Sequence, residues 1–237
     1  MAEVRTQLEE NLGRLRVAVS NMGALADRML DDAIRAVTEY EPGAARKVIV
    51  SDDEADAVDT QVERDASLLI ALQQPVAQDL RVIITALKSV NELERICDYG
   101  VDIAKIGRRI ARSGPYKPLV DLPRLASLAR AMLADTLKAF VSGDTALVHS
   151  VIEADDGVDD LYHEYRDHLI ATMQQDPEVV YQAAYMLLAC KYLERVGDHV
   201  VNVAEDIYYM HTGDPVALAK KRRSAIPEES RSTVSEE

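Results

Sequence analysis

The chain has 237 residues, 48% of them hydrophobic, and a formal net charge of -14. This hydrophobic fraction is enough to build a packed core, so a disordered chain is not expected. The acidic charge argues against nucleic-acid binding, which needs a cationic face, and makes a metal ion or a polycation the better-matched partner.

Three long helices are predicted for the first half of the chain. Apolar residues recur in steps of four and three from Leu8 to Tyr40, which is typical of a helix that packs along one face. Pro42 and Gly43 end this pattern, because neither residue readily continues a helix. A second helix is predicted for about 44–74, before Pro75, and a third for about 77–112. Few glycines and prolines and one phenylalanine indicate little or no sheet.

The second half of the chain repeats the first. When the sequence is aligned with itself at an offset of 103 residues, Asp52-Asp53 aligns with Asp155-Asp156. At an offset of 100 residues, Leu93-Glu94-Arg95 aligns with Leu193-Glu194-Arg195. We therefore predict an all-α fold of two tandem three-helix bundles, six long helices in all, related by an internal pseudo-two-fold. The predicted segments are a first repeat (1–112), a linker rich in proline (113–123), a second repeat (124–212) and a disordered polar tail (213–237).

The two cysteines and the absence of long apolar runs indicate a cytoplasmic protein. Cys97 and Cys190 have no CxxC spacing, which favours buried free thiols in a reducing compartment over disulfides or a structural zinc site. The longest apolar runs, such as 68–72, are far too short to cross a bilayer.

Carboxylates interrupt the apolar stripes of four predicted helices. Asp52 and Asp155 lie on the stripe of the second helix of each repeat, and Glu94 and Glu194 on that of the third. Each has another carboxylate four residues later, one helical turn away. The pairs are Asp52 with Asp56, Glu94 with Asp98, Asp155 with Asp159, and Glu194 with Asp198.

The spacing predicts that these pairs meet across each hairpin. Asp52 and Asp98 are both 23 residues from Pro75, and Asp56 and Glu94 are both 19 residues from it. The second copy, counted from Asp176, matches to within one residue. Converging carboxylates without imidazole or thiolate favour a hard cation such as magnesium, manganese, iron or calcium.

Two alternatives stay open at this point. The acids can form solvated helix faces, or pair with Arg95 and Arg195. Asp102 continues the series Glu94 and Asp98 by one more helical turn, but its counterpart in the second repeat is Asn202. Asp102 is therefore either a ligand or a solvated neighbour. The predicted metal ligands are Asp52, Asp56, Glu94, Asp98, Asp102, Asp155, Asp159, Glu194 and Asp198.

The segments LERICDYGVDIA and LERVGDHVVNVAEDI resemble the PhoU family, whose hallmark is a repeated E(D)xxxD motif on the third helix of each repeat. The resemblance extends to NMGALADRMLDDAI, VIVSDDEAD and QQPVAQDLRVIITALKSVNELERICD, and so covers nearly the whole chain. It implies homodimers, multinuclear iron or zinc clusters and repression of the phosphate-starvation response. The implied partners are a phosphate ABC transporter and a phosphate-sensing histidine kinase, with only peripheral membrane association.

Two departures from the family pattern concern the metal ligands. The second repeat has QQDPEVVYQAAY in place of the QPxAxDLR segment, and Asp56 and Asp159 stand where an asparagine-like residue is expected. The second site can therefore bind metal differently from the first.

Catalysis has no visible residue set, since the chain lacks a GxSxG, Walker A or HExxH motif and the histidine of a ferritin-like ExxH motif. His199 points about 100° away from Asp198 on a helix and is not assigned as a ligand. We predict a non-enzymatic, metal-binding negative regulator or adaptor of phosphate uptake and phosphate-starvation signalling. The alternatives are a metal-free helical scaffold and a multinuclear metalloenzyme.

Overall fold

The computed structural model describes residues 2–39, 41–112 and 118–214, which contain six α-helices and no strand. The predicted all-α fold with six helices is thereby confirmed. The helices are α1 (Ala2–Thr38), α2 (Pro42–Gln73), α3 (Ala77–Ile110), α4 (Leu122–Ser142), α5 (Thr145–Gln175) and α6 (Val180–Thr212). Most of the segment predicted as a tail, from residue 215 onward, lies outside the described residues, as do linker residues 113–117.

Helix ends follow the local sequence signals. Pro42 occupies the first turn of α2, where its missing N–H has no intrahelical partner to lose. The α4 helix begins at Leu122, inside the segment predicted as linker, because Pro123 is likewise tolerated in a first turn and the Asp121 side chain accepts a hydrogen bond from the backbone N–H of Arg124. It ends at Ser142 and is capped by Gly143, which has a φ of 73°.

The two repeats join through their first and third helices. The α1 helix packs on α2, α3 and α4, while α6 packs on α3, α4 and α5. Side chains of α3 such as Ile83, Leu93 and Ile96 are fully buried in this centre. The α2 and α5 helices each complete one three-helix bundle, so each α2–α3 or α5–α6 hairpin carries one of the predicted carboxylate clusters.

The antiparallel contact between α3 and α6 carries a row of polar and aromatic side chains, which we call the seam. Each side-chain hydrogen bond across it joins residues whose numbers sum to between 291 and 294, as for Thr85 with Asp206, Glu92 with His199, and Tyr99 with Arg195. This constant sum is the signature of a single antiparallel register. The seam is formed by Thr85, Lys88, Glu92, Tyr99, Arg109, Tyr185, Tyr192, Arg195, His199, Asn202 and Asp206.

Among the helices of the described segments, none combines the length and apolar character needed to cross a membrane.

Candidate metal centre

The α2–α3 hairpin brings four predicted ligands together in what we call the first cluster: Asp52, Asp56, Glu94 and Asp98. Burial raises the pKa of Asp52, and the negative charges of Asp56 and Asp98 raise it further. Burial also raises the pKa of Glu94, with further contributions from Asp98 and Asp56. The interaction of Asp52 with Asp98, and of Glu94 with Asp56, is the cross-hairpin pairing expected from their distances to Pro75. The cluster therefore concentrates negative charge that a cation can offset.

Cys97 lies fully buried behind the first cluster. Burial raises the pKa of its thiol far above the usual range, and the charges of Asp52, Glu94 and Asp98 raise it further. The thiol is therefore protonated at neutral pH. The accessible donors of the first cluster are therefore carboxylate oxygens, the donor type that suits a hard cation.

A fifth carboxylate, Asp59, belongs to the first cluster but was not among the predicted ligands. It lies half-buried on α2, one turn beyond Asp56. Burial raises its pKa, and the charges of Glu63 and Asp56 raise it further. Its interaction with Glu94 places it on the same side of the hairpin. The sequence signal was its position on the apolar stripe of the second helix, where a carboxylate is unusual.

Two cations lie at the rim of the first cluster. Arg95 donates a hydrogen bond of 3.0 Å to Asp98 Oδ2 and lies 3.6 Å from Glu94 Oε2, with 55% of its side chain exposed. Asp102 accepts a hydrogen bond from Lys105 at 3.1 Å, and the Lys105 side chain is 52% exposed. Such exposed pairs contribute little and exchange readily with water. The alternative of pairing with arginine therefore holds for Arg95, and the acids of α2 and α3 still lie close enough to one another to interact.

The corresponding residues of the second repeat, which we call the second cluster, are Asp155 and Asp159 on α5 and Glu194 and Asp198 on α6. Their surroundings differ from those of the first cluster. Asp155 is buried, and a Cβ atom added at Gly197 would be only 2.9 Å from its Oδ1 atom. Gly197 stands at the position of Cys97 after the 100-residue shift. The Asp155 carboxylate therefore lies directly over backbone that a side chain covers in the first repeat.

The second cluster is also contacted by a cation, Lys191, that was not among the residues singled out from the sequence. Lys191 donates a hydrogen bond of 2.7 Å to Glu194 Oε1 and lies 2.6 Å from Glu194 Oε2. The same ammonium lies 5.2 Å from the ring centroid of Tyr162. Arg195, in contrast, donates a hydrogen bond of 2.8 Å to the hydroxyl of Tyr99 in the seam.

The carboxylates of each cluster are neighbours rather than a closed coordination shell. In residues 2–39, 41–112 and 118–214, no three acidic, histidine or cysteine side chains converge closely enough to hold one metal ion as they stand. The side chains of Asp52, Asp98 and Glu94 are half-buried on helix surfaces, where rotation about their side-chain bonds can draw them together.

His199 belongs to the seam, not to either cluster. Its Nδ1 atom lies 2.6 Å from Glu92 Oε2, and the same oxygen accepts a hydrogen bond of 2.9 Å from Asn202. Burial alone raises the pKa of Glu92, but the hydrogen bonds from His199 and Asn202 lower it below its usual value. The histidine therefore links the two repeats, a role that its place beside Asp198 in the sequence did not indicate.

Comparisons with known proteins point to one family. The family model for the PhoU domain matches residues 19–107 and 122–207. A phosphate-specific transport system accessory protein PhoU homolog of Clostridium acetobutylicum is 34% identical over 215 residues, spanning 90% of this chain and 98% of the relative. One of the same description from Rhizobium meliloti is 35% identical over 213 residues, spanning 90% of both chains.

Solved structures give the same fold. The crystal structure of PhoU from Pseudomonas aeruginosa matches with a TM-score of 0.83 and 30% identity, covering 87% of this chain and 99% of that one. The crystal structure of the phosphate transport system regulatory protein PhoU from Streptococcus pneumoniae matches with a TM-score of 0.81 and 25% identity, covering 88% of this chain and 99% of that one.

Proposed function

Because the chain belongs to the PhoU family, we propose that it is a non-enzymatic accessory protein that restrains phosphate uptake and phosphate-starvation signalling. The observation that carries the proposal is the match of both repeats to the PhoU domain, together with full-length relatives described as accessory proteins of phosphate-specific transport systems. The finer role is that of a negative regulator or adaptor between a phosphate ABC transporter and a phosphate-sensing histidine kinase.

The regulatory role is tested by removing the gene and measuring phosphate uptake and starvation-gene expression in phosphate-rich medium. Uptake and expression should both rise, and the intact chain should restore them. Crosslinking in cells at high phosphate should recover the transporter ATPase and the kinase with this chain. Unchanged uptake and expression after gene removal would contradict the proposal.

Family resemblance also underlies the proposals that the protein is a cytoplasmic homodimer associated only peripherally with the membrane. A peripheral protein leaves the membrane fraction after salt and chelator washes, whereas retention through both washes would contradict this. Size-exclusion chromatography with light scattering measures the dimer directly.

We further propose that the carboxylate clusters bind divalent or ferric ions, with manganese, magnesium, iron and zinc as candidates. Support comes from the first cluster, where burial and then the charges of neighbouring carboxylates on α2 and α3 raise the pKa of Asp52 and of Glu94. Asp52 and Asp56 would supply ligands from α2, and Glu94 and Asp98 from α3, so a bound ion would tie the two helices together. An ion that binds only the folded state stabilises it by RT ln(1 + [L]/Kd), about 2.7 kcal/mol at a hundredfold excess over Kd.

The metal proposal is tested by the melting temperature with and without added Mn²⁺ in identical buffer. Glu94→Gln together with Glu194→Gln keeps side-chain size but removes two anionic ligands. Since removal of repulsion can itself stabilise the metal-free protein, the comparison rests on the metal-induced shift and not on the starting value. Equal shifts for the original and double-variant chains would refute the ligand assignment.

The two alternatives predict different results. A metal-free scaffold gives no metal in elemental analysis of the purified chain and no melting shift. A multinuclear metalloenzyme gives metal-dependent turnover in a hydrolase or oxidase screen.

A further inference from the structure

The two repeats differ at the positions that surround their carboxylate clusters. At matched positions the first repeat has six carboxylates: Asp52, Asp56, Asp59, Glu94, Asp98 and Asp102. In the second repeat Tyr162 replaces the counterpart of Asp59, and Asn202 replaces that of Asp102. The second repeat also gains a cation, because Lys191 stands where the first repeat has Asn91. All three changes lower the negative charge available to an external ion.

We infer that Lys191 is a built-in cation that occupies the second cluster, so that exchangeable metal binds chiefly at the first cluster. This inference rests on the proposed metal binding. Lys191 lies on α6 one turn before Glu194, and its ammonium contacts both oxygens of that carboxylate, at 2.7 Å and 2.6 Å. Within the described residues, the buried Oε2 atom of Glu194 has no hydrogen-bond donor aligned on it, so the nearby ammonium is the charge that offsets it.

The surroundings of Lys191 differ from those of an ordinary surface ion pair. Glu194 is only 14% exposed at its side chain, whereas Asp135, in the similarly spaced pair with Lys138 on α4, is 42% exposed. The Tyr162 ring covers the Lys191 ammonium with a cation–π contact, and such contacts strengthen as water is removed. An entering metal would have to displace this ammonium before it could reach Glu194.

The first cluster has no equivalent cation. Asn91 carries no charge, and Asp59 adds a carboxylate at the place where Tyr162 covers the lysine. The cations at the rim are more than half exposed: Arg95 pairs with Asp98 and lies 3.6 Å from Glu94 Oε2, and Lys105 pairs with Asp102. An exposed guanidinium at that distance is readily displaced into water. A metal ion can therefore meet Glu94 without expelling a partly buried ammonium.

Mn²⁺ binding to the full chain tests the inference, with bound metal measured by elemental analysis after equilibrium dialysis. Glu94→Gln should remove most of the bound Mn²⁺, whereas Glu194→Gln should remove little. Lys191→Asn with Tyr162→Asp gives the second repeat the residues of the first. This double variant should raise bound Mn²⁺ about twofold, because a second open set of carboxylates is created. Adding Glu194→Gln to it should abolish the increase.

A reciprocal variant in the first repeat tests the inference even if the double variant does not fold. Asn91→Lys places an ammonium one turn before Glu94 and should lower Mn²⁺ binding in the original chain. Lys138→Asn removes the ordinary α4 ion pair and should leave binding unchanged. Circular dichroism confirms that each variant stays helical.

The outcomes separate the two proposals. If the chain binds Mn²⁺ but Glu94→Gln and Glu194→Gln remove equal amounts, the inference about Lys191 is wrong and the proposed metal binding survives. If binding is unaffected by Asn91→Lys and by the Lys191 and Tyr162 changes, Lys191 does not control access. If the chain binds no Mn²⁺, Fe²⁺ or Zn²⁺, both proposals are overturned.

Discussion

Gly107 of α3 lies directly against the backbone of Ala36 of α1. A Cβ atom at residue 107 would be 2.5 Å from the carbonyl oxygen of Ala36. The obstacle is backbone rather than the end of a flexible side chain, so the helices themselves would have to separate. Gly107 thus sets how closely α1 and α3 approach at this end of the first repeat.

Gly107→Ala should therefore lower the free energy of unfolding by about 1–3 kcal/mol, the usual cost of forcing extra volume into a packed contact. Urea unfolding followed by circular dichroism measures the loss. The gain in helix propensity from glycine to alanine works against this cost, so a measured destabilisation is due to the contact.

Gly13→Ala and Gly157→Ala are the matched controls. A Cβ atom added at either position would meet no atom within 4 Å. Both changes should stabilise the protein by roughly 0.5–1 kcal/mol through helix propensity alone. The interpretation of Gly107 would be contradicted if all three substitutions had the same sign.

Arg130 of α4 links the second repeat to α1. Its Nε and Nη2 atoms donate hydrogen bonds to Asp27 at 2.7 and 3.0 Å, and its Nη1 atom donates to Asp31 at 2.6 Å. Arg130→Lys should cost about 1 kcal/mol of stability, because a lysine cannot reproduce the two-pronged contact with Asp27.

Arg166→Lys is the control for Arg130, since Arg166 pairs with the exposed Asp167 on its own helix and such pairs contribute little. Thermal unfolding of both variants at low and high salt distinguishes them. Equal, small losses would show that Arg130 is an ordinary surface ion pair.

Glu92 and Asp206, both in the seam, should affect the pH dependence of the free energy of unfolding in opposite directions. The half-buried Glu92 has a pKa below its ordinary value of 4.5, so its stabilisation is complete above that pH and is lost as pH falls through the lower folded-state pKa. Glu92→Gln should cost about 1 kcal/mol at neutral pH. The difference from the original chain should shrink below about pH 4.

Asp206 serves as the internal comparison. Burial raises its pKa, although the hydrogen bond from Lys88 lowers it. Because its folded-state pKa is raised, the penalty of the buried charge is present at neutral pH and disappears as pH falls. The original chain should therefore gain stability relative to Asp206→Asn as pH falls, opposite to Glu92→Gln. Chemical unfolding from pH 7 down to about pH 3 measures both slopes, and slopes of the same sign would contradict the assignment.

The contacts within the α2–α3 hairpin of the first repeat were the part of the structure that the sequence could predict. Asp52 and Asp98 are equally distant from Pro75, and their charges do interact across the α2–α3 hairpin. A short turn between two long helices sets their relative height, so counting residues from the turn is enough. The six-helix fold followed in the same way from apolar periodicity and the internal repeat.

Contacts between the repeats could not be predicted in that way. Glu92 and His199 are 107 residues apart, and no short turn relates α3 to α6. Their pairing depends on how two complete bundles pack together. Likewise, Lys191 is visible as a difference between the repeats, but its contact with Tyr162 depends on side-chain orientation across two helices.

The two cysteines give a local readout of the metal proposals. Cys97 and Cys190 are both fully buried, and burial raises the pKa of Cys190 to about 12 and that of Cys97 still further above its usual range. At pH 8 both thiols should react with iodoacetamide more than about a hundredfold more slowly than in the urea-unfolded chain. Reaction in the folded state then requires local opening of the helices.

Mn²⁺ should slow the labelling of Cys97 and leave that of Cys190 nearly unchanged. Cys97 lies behind the first cluster, and an ion that joins Asp52 to Asp98 must be released before α2 separates from α3. At a hundredfold excess over Kd, release costs about 2.7 kcal/mol, equivalent to about a hundredfold slower labelling if opening is rapid. Glu94→Gln should weaken this protection of Cys97. Peptide mass spectrometry follows both cysteines in one sample, and equal slowing at the two sites would contradict metal binding chiefly at the first cluster.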